Sequence, residues 1–121
     1  MEEKANIEKS LKRIKDVLNQ LKVCAFGKTL SNGIELPCNP MHFSNNVKRI
    51  FDEIRQLPKK HFTLNEEIEI FHCEREALED IAKEACVKNG DTERIVQYYY
   101  NNIENIVNNI HAKIQNDHEI E

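Results

Sequence analysis

A chain of 121 residues with 17 basic and 21 acidic side chains and a formal net charge of −4 has room for one domain with its own core and none for a second full domain. Acids and bases are mixed along the chain, which excludes a general nucleic-acid binder held by clustered Lys and Arg. No window approaches about eighteen uninterrupted apolar residues, so no membrane span is expected.

The N-terminal MEEKANIEKS is acidic where a secretory signal would be basic and then apolar, which predicts an intracellular protein. In that setting Cys24, Cys38, Cys73 and Cys86 read as free thiols rather than as two disulfides. Only three Gly and three Pro remain to interrupt long helices.

The first predicted helix covers residues 2–25. Ile7, Leu11, Ile14, Leu18, Leu21 and Ala25 follow the alternating four-three spacing of a coiled-coil seam, and the narrow stripe predicts a helix that docks in one groove. From Phe26 to Phe43 the stretch FGKTLSNGIELPCNPMHF holds two of the three glycines and two of the three prolines, and reads as a long loop. Unstructured loops of that length are uncommon in compact domains and tend to be functional or mobile. Ile34, Leu36, Met41 and Phe43 are expected to lid one end of the bundle, or else to bind a partner.

Ser44 or Asn45 is the expected cap of a second helix over residues 44–57, with Val47, Ile50, Phe51, Ile54 and Leu57 on one face and Pro58 helping to end it. Thr63 or Asn65 caps a third, over 64–88, with Glu66 and Glu67 in its first turn. Its apolar arc, Leu64, Ile68, Phe71, Leu78, Ala82 and Ala85 flanked by Ile70, Ala77 and Ile81, is wide enough to predict the central position in the packing. Asn89 and Gly90 supply a left-handed stop.

The fourth helix, over 92–115, starts from Asp91 or Thr92 and carries Ile95, Val96, Tyr99, Tyr100, Ile103, Ile106, Val107, Ile110 and Ile114 on one face. Its other side holds Gln97, Asn101, Glu104, Asn105, Asn108 and Asn109, mostly poor helix formers, so packing must stabilise it. A polar tail, 116–121, is expected to fray. The fold class is therefore all-α: a four-helix bundle, or a bundle-like pair of helical hairpins, with a long loop between helices 1 and 2.

Candidate chemistry thins out on inspection. Gly27-Lys28-Thr29 lacks the glycine that a phosphate loop needs five residues earlier, where Lys22 stands. Arg55 and His61, a pair some helical RNases use, are separated by Pro58 and cannot share a helical face. His72 and Cys73 are adjacent on a helix and diverge by about 100°. Tyr98, Tyr99 and Tyr100 suggest base stacking, but no Arg or Lys interleaves them. Tyr98 projects from the polar face and points instead to a protein contact. Lys9, Lys12, Arg13 and Lys15 form a basic patch that Glu8 and Asp16 dilute.

The reading that remains is a non-enzymatic protein–protein interaction module, either a homodimer or a subunit of a helical multi-protein assembly. Its partner-binding candidates are Ile7, Leu11, Ile14, Leu18 and Leu21 of the seam, Ile34, Leu36 and Met41 of the loop, and Tyr98. The seam has a competing use inside the monomer. A small metal-binding protein or enzyme built on Cys24, Cys38 and His42 is the alternative. No cofactor, small molecule, membrane or nucleic acid is expected as a ligand.

Overall fold

Nothing between Glu2 and Phe26 breaks a helix, and α1 (Glu2–Phe26) runs unbroken in the structure, a computed structural model that describes residues 2–85 and 92–119. Gly27 ends it in the left-handed region at φ 75, its N–H closing back on the Val23 carbonyl at 2.7 Å. A short antiparallel hairpin follows, β1 (Lys28–Thr29) pairing with β2 (Glu35–Leu36). After it come α2 (Pro40–Arg55), a single 3-10 turn at Lys59–His61, α3 (Leu64–Ala85) and α4 (Thr92–Glu119).

The hairpin and the start of α2 differ from the expected long loop. Asn39 caps α2 in extended geometry, accepting the His42 N–H on its side-chain oxygen at 3.1 Å, and Pro40 occupies the first turn, where its missing N–H costs nothing. The helix thus begins four residues before the expected Ser44 or Asn45 start. Thr63, by contrast, does cap α3: its hydroxyl accepts the Glu66 N–H at 3.1 Å while its own N–H donates to the Glu66 carboxylate at 2.9 Å, a reciprocal capping box. α4 continues through Asn116 to Glu119 because no Gly or Pro follows the buried Ile114. Cys86, the Asn89-Gly90 stop and the Asp91 cap lie outside the described residues.

The four helices pack as a bundle: α1 against α2 and α4, α3 against the same two, and α2 touching α4 across the middle. The two helices in mutual contact, α2 and α4, hold the central place expected of α3. Among the described side chains of α3 only Ile70, Ala77 and Ile81 are buried, while Leu64 and Ile68 at its start are 72% and 58% exposed. α1 lies in the groove between α2 and α4, and its entire seam, Ile7, Leu11, Ile14, Leu18 and Leu21, is buried in the chain's own core. The sequence's competing use of the seam is the one the fold adopts.

Polar ties join the neighbouring helices. Arg13 meets Glu53 at 3.2 Å between α1 and α2, Arg55 meets Glu74 between α2 and α3, Lys113 meets Glu66 between α4 and α3, and Gln97 donates to the Ala25 carbonyl at 3.3 Å between α4 and α1. No helix among the described residues is long and apolar enough to cross a membrane.

Candidate functional site

Four of the nine partner-binding candidates remain outside the core, and all stand at the end of the bundle where α1 finishes and α2 and α4 begin. Ile34 and Leu36 belong to the hairpin, Met41 to the first turn of α2, and Tyr98 to the second turn of α4; their exposures are 55%, 42%, 74% and 60%. Of the loop's apolar residues only Phe43 buries itself fully. The expected lid therefore has one anchor and three projecting side chains.

What projects them is the local backbone. A turn over residues 30–33 closes with Gly33 N–H to the Leu30 carbonyl at 2.9 Å and Leu30 N–H to the Ile34 carbonyl at 2.8 Å. Gly33 sits at φ 86, and the Asn32 side chain accepts the Ile34 N–H at 3.1 Å. This is the three-residue hairpin connection with glycine in the left-handed position. Two residues per strand cannot bury either face, so Ile34 and Leu36 stay in solvent. The Asn39 N–H donates to the Cys24 carbonyl at 2.8 Å and fixes the hairpin's exit to the end of α1.

Phe26, the last residue of α1 and the first of the expected loop, stands beside them. It is 48% exposed and sets its ring edge-on against Tyr100, 5.5 Å between centroids. A shallow depression of about 540 Å³ between α1 and α2 adjoins the patch, with Val23, Leu36 and Pro37 on its apolar side and His42 and Asn46 on its polar side. Asn46 is nearly buried, donates to the His42 carbonyl at 3.0 Å and accepts from Arg49 at 3.0 Å.

The two thiols here are poor nucleophiles. Burial pushes Cys24 above the ordinary thiol range, against a weak hydrogen bond from Asn46 at 3.7 Å. Cys38 is raised by burial, by Glu93 and by Cys24 itself. Burial thus works against the thiolate form that attack on a substrate uses. No group of three or more His, Cys, Asp or Glu among the described residues is placed to hold a metal ion. The fold thus sets Cys24 and Cys38 close together but does not make a ligand set of them with His42.

The remaining candidates are engaged elsewhere. Arg55 binds Glu74 and Asp52 and lies over the Phe71 ring, 4.5 Å from its centroid, so its guanidinium is not offered to a phosphate. His72 turns to Glu76 at 2.8 Å rather than to Cys73, and burial, then Glu76, pushes the Cys73 thiol up to about 11. Tyr99 donates to Asp80, and Tyr100 to Glu104 at 2.9 Å. Burial and the Glu104 carboxylate push the Tyr100 phenol up to about 12. Tyr98 alone of the three is exposed, its ring edge-on to Tyr99. No protein-family model, curated protein or solved structure matches the chain.

Proposed function

We propose that this chain is a non-enzymatic protein–protein interaction module, a homodimer or one subunit of a helical assembly, that meets its partner through the hairpin end of the bundle. The observation that carries the reading is the set Phe26, Ile34, Leu36 and Met41, exposed large apolar side chains on the hairpin and on the helix ends that it joins, with Tyr98 exposed on another side of α4 at the same end. Scattered apolar residues are ordinary on a protein surface, but a group of them ringed by polar residues marks a contact site. The patch projects outward, which suits a protein partner better than a small ligand, whose sites are concave. Burial raises the Cys24 and Cys38 thiols and Glu74 engages Arg55, which supports a binding role over a catalytic one for these groups.

The test combines solution mass with a local crosslinker. Light scattering across concentration is run on the wild type and on an Ile34→Asp, Met41→Asp double variant, whose thermal stability should stay within about 0.5 kcal/mol of wild type because both positions are exposed. A wild-type dimer that the double variant splits supports the homodimer. A wild-type monomer that forms one discrete adduct with another protein, from a photo-crosslinking residue at Met41 or Tyr98 but not at the exposed control Asn108, supports the subunit form. A monomer with no adduct from either position rejects the module.

A further inference from the structure

The second concave surface of interest runs between α3 and α4, on the side of α4 that the sequence marks as rich in amides. It is a groove of about 430 Å³. Its ends are closed by two polar bridges, Lys113 to Glu66 and Tyr99 to Asp80. The bridged residues stand fourteen positions apart on each helix (113 − 99 on α4, 80 − 66 on α3), which is about 21 Å at the helical rise.

Each wall has its own chemistry. The floor is apolar, with Ile70 from α3 and Ile106 and Ile110 from α4. On the α4 side stand Asn102, Asn105 and Asn109, whose side chains hydrogen-bond to no other described residue. These amides occupy interior helical positions where Asn is a poor helix former, and no internal hydrogen bond offsets that cost. The α3 side presents Glu69 and Glu76; among the described residues Glu69 has no basic partner, and Glu76 meets only His72. With Glu66 matched by Lys113, the groove keeps an excess of negative charge.

We propose that this groove is a binding site for an extended peptide segment of about six residues in which basic side chains alternate with apolar ones. Six residues follow from the length, since an extended chain advances about 3.4 Å per residue. A carboxamide carries an acceptor and two donors, the complement of a peptide unit's N–H and C=O, so a row of them holds a main chain without regard to sequence. Asn102, Asn105 and Asn109 rise along the groove in steps of about 4.5 and 6 Å, so the row spans about 10.5 Å, the length of about three extended residues. Alternate side chains then point to the isoleucine floor or outward to Glu69 and Glu76. A helical partner suits the amide row less, because its N–H and C=O groups are already paired within its own helix. This site lies along α3 and α4 and does not depend on the hairpin, although its Tyr99 end neighbours Tyr98.

Fluorescence anisotropy tests the proposal with a fluorescein-labelled hexapeptide of alternating Lys and Leu, titrated with the full chain. Binding with a dissociation constant on the order of 10–100 µM is expected, weakened at least tenfold when Glu replaces Lys and about tenfold when the Leu amides are N-methylated. An Asn105→Ala, Asn109→Ala variant should bind about tenfold more weakly while melting no lower than wild type, since Ala is the better helix former. Glu69→Gln, Glu76→Gln should weaken binding and reduce its salt dependence, and Met41→Asp should leave it unchanged. No binding at 1 mM peptide overturns the proposal. So does binding that is indifferent to N-methylation and to both Asn substitutions, or that spermine matches in affinity, because the groove would then hold cations and not a peptide main chain.

Discussion

The Glu66 carboxylate closes the capping box of α3 and also reaches across to Lys113 on α4. Lys113 first, then the Thr63 N–H, hold its carboxyl at about 2, against an ordinary value of 4.5. The folded-state value is depressed, so the unfolded chain takes up this proton first on acidification. The stability this group contributes is therefore complete above pH 4.5 and is lost as pH falls from there toward 2. Urea midpoints across that window should show a wild-type decline that Glu66→Gln lacks in part, so that the two proteins converge in acid. A gap between them that stays constant with pH would mean the carboxylate's charge contributes nothing. The local half of this arrangement was legible, because Thr63 and Glu66 stand at capping-box spacing just before an apolar run. Lys113 was not, since nothing local links two residues 47 positions apart.

At the scale of elements, structure departs from sequence pattern in the segment dense in Gly and Pro. Gly and Pro density alone reads as irregular chain, yet Gly27, Gly33 and Pro40 each hold a defined position. Asn39-Pro40 is a cap followed by a first-turn proline, and Asn32-Gly33 is hairpin chemistry that a reading of turn residues can find. The two glycines of the segment make separable predictions. Gly27 has φ 75, and a Cβ there would lie 2.3 Å from the Leu36 carbonyl oxygen; Gly33 has φ 86 with open space around it. Gly33→Ala should cost about 1–2 kcal/mol from backbone strain alone. Gly27→Ala should cost more, about 3 kcal/mol, because the main chain of β2 must also move. Equal losses in urea unfolding would show that the hairpin can shift off α1 freely, and the patch at its tip would then not be held by the fold.

At the scale of the whole molecule, the four-helix class was legible from periodicity alone, and so was each helix's inward face apart from that of α3. Periodicity reports how much apolar surface a helix carries and not which neighbour covers it, so the wide arc of α3 was placed centrally although Leu64 and Ile68 remain in solvent. The α1 seam poses the same ambiguity, since one stripe serves equally to join two chains or to complete one. Leu18, 8% exposed beside fully buried Leu21, decides between them. If the seam joined two folded monomers, Leu18→Glu would halve the mass and leave the helices intact. In the fold described here it buries an unpaired carboxylate between α1 and the groove of α2 and α4, a loss of about 3–5 kcal/mol set against a total stability of about 5–15 kcal/mol. Circular dichroism on Leu18→Glu should therefore show a steep fall in melting temperature or outright unfolding. Ile34→Asp, Met41→Asp, which removes two apolar side chains but from exposed positions, should melt with the wild type. Helices that persist unchanged in a Leu18→Glu protein of halved mass would return the seam to the interface and displace the hairpin end from that role.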